Sequence, residues 1–495
     1  MTVRLAPTLE AARRYSERPA LLCRGEVWTY AAFEARIQEA SRRLRTLGVS
    51  PGTRVAVWAG NSPDWAVMAH AVGRAGGVLL PLNTRLTDAE LIVQARHADL
   101  LLASPALALR ARQALDADVP LLTIDGGHPD LPGFWAIAQN PSPVSETLAL
   151  DDPQAILFTS GTSGVPKGAV LTWGNQFASA EASARVIPLS PEDRWIDCMP
   201  LFHVGGLNIL YRCAMAGAAV ILHERFEPEA VNRAFDAEGG TVISLVAATL
   251  TRTLDARKTP LPAHARAVLI GGGPVPPDLV ARCPIALPTY GMTETCSGVT
   301  LVAPGATEAD RATAGRPMPG VELEIRDPNG QPLPPGKPGT ITVRGPMVIR
   351  AYLDPEATAK ALSDGWLDTG DFGMLDDEGR LTVLTRRNDL IISGGENVYP
   401  AEIEAALRAH PSVSEAAVLA IPHPRWGQAP LAFVVGREPL DEAALRGFLG
   451  EKIARYKHPA VYHELEALPL LSNGKVDRRQ LAELARSLAE ARPLA

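Results

Sequence analysis

The sequence predicts an α/β protein of more than one domain: a large N-terminal region of α/β subdomains with a small antiparallel β region, then an α+β C-terminal domain. Three observations carry this. The chain has 495 residues, beyond what one hydrophobic core organises. Short apolar runs alternate with amphipathic or capped helical stretches through about residue 300, the texture of parallel strands joined by helices. The texture then changes twice, at about 321 and at about 388.

In the first 150 residues, TYAAFEARIQEASRRLRTLG reads as an amphipathic helix with a glycine stop. RVAVWAG and VLLPLN read as strands, and between them SPDWAVMAHAVGRAGG opens with Ser62 as helix cap and Pro63 at the first helical position. QAILFTS, AAVILHE, TVISLVA, ARAVLIGGG and IALPTYG continue the series as buried strands. VELEIRD, GTITVRG and RLTVLTR alternate in period two between Pro/Gly turns, the antiparallel part. Beyond LTRRNDLIISGG come AEIEAALRAH and DEAALRGFLGEKIARYK as helices and SEAAVLAIP and APLAFVVG as strands. The predicted boundary divides residues 1–387 from 388–495.

The formal net charge is −7, with 21% charged and 46% hydrophobic residues. No basic excess points to nucleic acid. Cys23, Cys198, Cys213, Cys283 and Cys296 are scattered and form no CxxC or Cys/His cluster. They read as buried small side chains in a reducing compartment, with no disulfide framework or structural zinc. The N-terminus lacks the apolar core of a signal peptide, and no run reaches the roughly 18 apolar residues of a transmembrane helix. The expected location is the cytoplasm. Oligomeric state is not legible, and a homodimer is admissible.

One decapeptide raises the question of chemistry. Thr159, Ser160, Gly161, Thr162, Ser163, Gly164 and Lys167 lie in TSGTSGVPKG, directly after a predicted strand. Glycines let backbone amides turn toward an anion, hydroxyls add donors, and a lysine adds charge. Walker A spacing is absent: Pro166 precedes the lysine and Gly168 follows it. The alternative is a glycine-rich surface turn.

The decapeptide resembles the signature loop of the adenylate-forming enzymes: acyl-CoA synthetases, luciferases and peptide-synthetase adenylation domains. Further motifs similar to that family's follow in order: PLFHVGG (200–206), LIGGGPV (269–275), TYGMTET (289–295), GWLDTGD (365–371), RRNDLIISGGENVYPAEIE (386–404), RYKHP (455–459) and NGKVDRR (473–479). The resemblance implies two half-reactions. A carboxylate attacks the α-phosphorus of ATP, giving an acyl-adenylate and pyrophosphate, and the thiol of CoA then displaces AMP. The partners are thus a small carboxylic acid, ATP with Mg2+, and CoA.

The resemblance also implies roles. The decapeptide would grip the β- and γ-phosphates. Within Thr289, Tyr290, Gly291 and Met292, Tyr290 would stack on adenine. Thr293 would contact the α-phosphate, and Glu294 would be the magnesium carboxylate. Gly271, Gly272 and Gly273 would let the backbone approach the adenine or acyl group. Asp371 would hold the ribose, Arg386 would add a second ribose or phosphate contact, and Trp366 would have a packing role. Lys475 would be the catalytic lysine, bridging acid and α-phosphate. Gly394 and Gly395 would line the pantetheine tunnel, and Lys457 joins the cofactor-binding set. The C-terminal domain would be mobile, with a pivot near Asn388, where the family usually has Asp or Lys.

His203 is either a gate beside the acyl pocket or a core histidine. The run WIDCMPLFHVGGLNILYRCAMAG looks most like the o-succinylbenzoate–CoA ligases, whose acid has two carboxylates. Arg212 is either the partner of the second carboxylate or an exposed helix arginine. Ligases for fatty, aryl or dicarboxylic acids stay open as alternatives. So do a non-catalytic adenylate binder, against which the intact Lys475, Lys167 and Glu294 speak, and a carrier-protein loader, against which the retained GGEN and RYKHP speak.

Overall fold

The computed structural model describes residues 2–491 except 116–118, 161–165, 273–274, 276, 387–390, 399 and 470–475. Two compact units result. The larger comprises 1–84, 95–158 and 168–384; the smaller comprises 85–94, 159–167 and 385–495.

The larger unit is built on two broad sheets. One has seven strands, ordered Ala351–Tyr352, Pro166–Thr172, Pro153–Ser160, Val78–Pro81, Arg54–Trp58, Leu100–Ala103, Leu121–Thr123. The other has nine, from Arg316–Pro317 at one edge to Glu26–Thr29 at the other. Its interior strands Pro19–Cys23, Ala219–Leu222, Arg194–Asp197, Val242–Leu245, Ala267–Ile270 and Ala286–Met292 run parallel. VLLP, LLLA, AVIL and AVLI are buried along their whole length. Strands covered on both faces take unbroken apolar runs, which is why the sequence showed runs and not alternation.

The helices between them start as their sequences dictate. The Ser62 hydroxyl accepts from Trp65 N–H, with Pro63 behind it, and Gly76 ends the helix in the left-handed conformation. Thr172 and Asn175 form a reciprocal capping box for Trp173–Val186. The expected antiparallel region is a five-stranded sheet including Glu322–Arg326, Gly339–Arg344, Trp366–Leu375 and Leu381–Arg386. Trp366 packs there, with the guanidinium groups of Arg326 and Arg344 4.4 and 4.7 Å from its ring centroid.

The smaller unit pairs Val413–His423 with Gly427–Gly436 in a long hairpin, flanked by Ile391–Ser393, Glu396–Val398 and Val461–Glu464. The helices Pro400–Arg408, Glu442–Lys452 and Arg478–Ala491 belong to it. All five cysteines are buried free thiols, as their scatter implied. Among the described residues no helix is long and apolar enough to cross a membrane.

Candidate active site

In the larger unit the site is assembled around TYGMTET. The strand Ala286–Met292 turns through the short helix Thr293–Thr295 and returns antiparallel as Ser297–Leu301. A register shift falls between Tyr290 and Gly291, where an added Cβ would lie 2.0 Å from the Ser297 carbonyl oxygen. Only glycine fits there. Cys296 and Ser297 then take positive φ of 51° and 97°, an unfavourable geometry for side-chain-bearing residues. It is held by neighbours. The Cys296 carbonyl accepts from Ser179 Oγ at 2.7 Å and from Asn208 Nδ2 at 2.6 Å. Thr295 Oγ1 donates to the Ser297 carbonyl at 2.6 Å.

This turn carries two of the residues the sequence assigned to the site, Tyr290 and Glu294. Tyr290 is buried, and its phenol donates to Asp371 Oδ2 at 2.7 Å. The residues the sequence assigned to adenine and to ribose are therefore neighbours. Asp371 is buried in the strand Trp366–Leu375, and its N–H donates to Thr369 Oγ1. Glu294 is also buried; its Oε1 accepts from the Tyr352 phenol at 3.0 Å, and its carbonyl accepts from Ile349 N–H. Among the described residues no group of three or more His, Cys, Asp or Glu is assembled to hold a metal. A single buried carboxylate suits Mg2+, which takes one or two protein carboxylates together with substrate phosphates. Gly272 has φ +80°, a conformation open to glycine.

The helix Val204–Ala216 follows from His203, whose carbonyl accepts from Gly206 N–H and Leu207 N–H. His203 is half-buried with its ring 4.7 Å from that of Phe202. Arg212 is not an exposed helix arginine. It is buried, its guanidinium carbon lies 5.9 Å from the Trp195 ring centroid, and Nε has no hydrogen-bond partner. No carboxylate lies within ion-pair distance of it among the described residues. Burial pushes its pKa down, against the thiols of Cys296 and Cys213, whose anionic forms would favour the cation. A guanidinium stays charged even so, and a buried one calls for an anionic partner.

In the smaller unit Lys167 is half-buried, and Thr159 Oγ1 donates to its carbonyl at 3.5 Å. Gly394 and Gly395 form the two-residue turn between Ile391–Ser393 and Glu396–Val398, both with positive φ of 59° and 86°. That turn type selects Gly-Gly. Lys457 is buried, and its ammonium meets Glu90 Oε1 at 2.5 Å and Glu402 Oε1 at 2.7 Å. Burial pushes the Glu402 carboxyl up to about 7, against the pull of Lys457. Burial works against the Lys457 charge, but Tyr456, Glu402 and Glu90 together hold its proton above the usual lysine range.

Lys475, Gly161, Thr162, Ser163, Gly164, Gly273 and Asn388 lie outside the described residues, as do the side chains of Ser160 and Arg386. Sequence reading missed Tyr352, Ser179, Asn208, Glu90 and Glu402. The segment RAYLDPEAT around Tyr352 offered a signal: an aromatic residue just ahead of an Asp-Pro helix start.

The architecture and this site define an enzyme that activates acids as adenylates. The family model described as AMP-binding enzyme matches residues 9–353, and that of the AMP-binding enzyme C-terminal domain matches 402–475. The chain belongs to the AMP-binding enzyme family, and it is an ATP-dependent, adenylate-forming ligase. It is similar to the 2-succinylbenzoate–CoA ligase of Bacillus licheniformis, 38% identical over 450 residues, covering 89% of this chain and 91% of that one. It is also similar to a solved double mutant of the o-succinylbenzoate CoA synthetase of Bacillus subtilis bound with a product analogue. There the TM-score is 0.91 at 32% identity, covering 97% of this chain and 98% of that one. The Bacillus subtilis enzyme in complex with ATP and magnesium ion gives a TM-score of 0.75 at 32% identity, over 97% of this chain and 100% of that one.

Proposed function

We propose that this chain is an o-succinylbenzoate–CoA ligase of menaquinone biosynthesis, acting in the cytoplasm, with a homodimer as the assembly to test. The observation that carries the acid is Arg212. It is a buried cation with no carboxylate partner among the described residues, on the helix that follows His203. The likeness to succinylbenzoate ligases over most of both chains supports the same reading.

In the first half-reaction a carboxylate oxygen of the acid attacks the α-phosphorus. The bond to the bridging oxygen breaks, and pyrophosphate leaves with the electron pair. In the second, the CoA sulfur attacks the acyl carbon, AMP leaves with the electron pair of the C–O bond, and the thiol proton passes to solvent. No enzyme nucleophile is required; placement and charge stabilisation carry the rate. Thr159, Ser160, Thr162, Ser163 and Lys167 hold the outer phosphates. Tyr290 and Asp371, tied to each other, hold the nucleoside, with Arg386 beside the ribose. Bound Mg2+ would supply charge neutralisation of the phosphate oxygens, with Glu294 as its protein ligand and Thr293 at the α-phosphate. Lys475 bridges the attacking acid and the α-phosphate. Residues 1–387 would carry ATP and acid. Residues 388–495 would form the mobile part that brings Lys475 to the first step and Gly394 and Gly395 to the second. His203 gates the acid.

The test is pyrophosphate release with MgATP across o-succinylbenzoate, benzoate, malonate, octanoate and palmitate, each with and without CoA. O-succinylbenzoate is expected to lead, with its CoA thioester as product. Arg212→Ala is expected to raise the KM for o-succinylbenzoate by about 10- to 100-fold, and for benzoate far less. A preference for octanoate or palmitate, or equal effects on both acids, overturns the assignment of substrate and of Arg212.

A further inference from the structure

The backbone of Glu294 is fixed from two directions. On its C-terminal side Ser179 and Asn208 hold the Cys296 carbonyl at 2.7 and 2.6 Å. On the other side runs the segment Ile349–Leu353. Ile349 N–H donates to the Glu294 carbonyl at 2.9 Å, and Leu353 N–H donates to the Gly168 carbonyl at 2.8 Å. Tyr352 pairs in register with Ala169, in the strand that leaves the glycine-rich decapeptide. The segment is anchored upstream by Asn175, whose Nδ2 donates to the carbonyls of Pro346 and Val348 at 2.8 and 2.9 Å. One short stretch therefore spans from the exit of the decapeptide to Glu294.

With the backbone fixed, what stays adjustable at Glu294 is its side chain. The Tyr352 phenol donates to Oε1 at 3.0 Å, both side chains being buried. Such a bond fixes the plane of a carboxylate and the direction its second oxygen faces. It does so without supplying a counter-charge, since the phenol donates as a neutral hydroxyl. A lysine or arginine in that place would hold the carboxylate equally well and weaken it as a cation ligand.

We propose that Tyr352 is a positioning residue for adenylation, setting the Glu294 carboxylate for Mg2+ in fixed relation to the strand that follows the decapeptide. The inference rests on the reading of Glu294 as the magnesium carboxylate. A bond from a neutral donor to a charged acceptor is strong enough for its loss to change an affinity about ten-fold.

The experiment compares the full chain with Tyr352→Phe and Glu294→Gln. Two readouts are taken: calorimetric affinity for ATP with and without Mg2+, and the Mg2+ dependence of acid-dependent ATP–pyrophosphate exchange. Tyr352→Phe keeps the ring and removes the donor. It is expected to raise the Mg2+ concentration for half-maximal exchange about ten-fold and to shrink the gain in ATP affinity that Mg2+ confers. Its Mg2+-free affinity for ATP should stay at the wild-type value, and its Tm should fall by no more than a few degrees, since one donor to a buried carboxylate is lost. Glu294→Gln is expected to do the same to a larger extent. If Glu294→Gln shifts the Mg2+ dependence and Tyr352→Phe does not, the positioning role is wrong while the reading of Glu294 stands. If neither shifts it, the reading of Glu294 fails and the inference with it. An equal loss of ATP affinity with and without Mg2+ in Tyr352→Phe makes the tyrosine structural and overturns the proposal.

Discussion

In the larger unit two buried carboxylates, Glu294 and Asp371, each accept a hydrogen bond from a tyrosine phenol. In the smaller unit two others, Glu90 and Glu402, converge on the single ammonium of Lys457. The two solutions leave different chemistry behind. A phenol orients a carboxylate without itself supplying a counter-charge, which would suit the ribose and magnesium roles proposed for Asp371 and Glu294. An ammonium between two carboxylates neutralises most of what it orients, which suits a structural tie. For Lys457 to serve a ligand, it would have to leave both glutamates buried without their cation.

The largest effect is expected where that tie is broken. Lys457→Ala leaves two buried carboxylates facing each other and should lower stability by about 3–5 kcal/mol, read as a shifted unfolding transition of the full chain in calorimetry. Adding Glu90→Gln should recover much of it. A loss below about 1 kcal/mol would rank the cluster with exposed ion pairs and erase the contrast.

The next largest effect is expected at the nucleoside end. Tyr290→Phe keeps the ring and removes the donor to Asp371. The KM for ATP should rise about ten-fold, with Tm nearly unchanged. A fall in Tm with an unchanged KM would make the Tyr290–Asp371 bond a structural tie like that of Lys457.

A further effect is a pH slope. Burial raises the Glu402 carboxyl from 4.5 to about 7. The folded state therefore holds this proton more tightly than the unfolded chain does, and stability falls as pH rises through that window. Glu402→Gln should flatten the slope, so Tm measured at pH 5 and at pH 8 should differ less in the variant than in the wild type. An unchanged slope would assign it to other groups.

Much of the fold was legible because its signals are local. Runs such as VLLP and AVIL report strands covered on both faces, and Ser62-Pro63 reports a helix start. TYGMTET was singled out through resemblance. The supports were not, since they join residues far apart in the chain. Lys457 and Glu90 are 367 positions apart, Tyr352 and Glu294 are 58, and Asn208 and Cys296 are 88. Arg212 could be read either way for a related reason. A charged residue on a helix suggests a wet face, yet ten of the thirteen residues of Val204–Ala216 are buried and none is exposed.

That helix bears on any attempt to retrain the enzyme for a new acid. The residue we assign to acid recognition shares its turns with Leu207, Ile209, Leu210 and Tyr211, all part of the main core. Libraries randomised along it would mostly return chains that fold poorly, and survivors would be enriched for conservative apolar swaps. Productive diversity at Arg212 is therefore expected only in backgrounds stabilised beforehand, or together with a compensating change at Trp195.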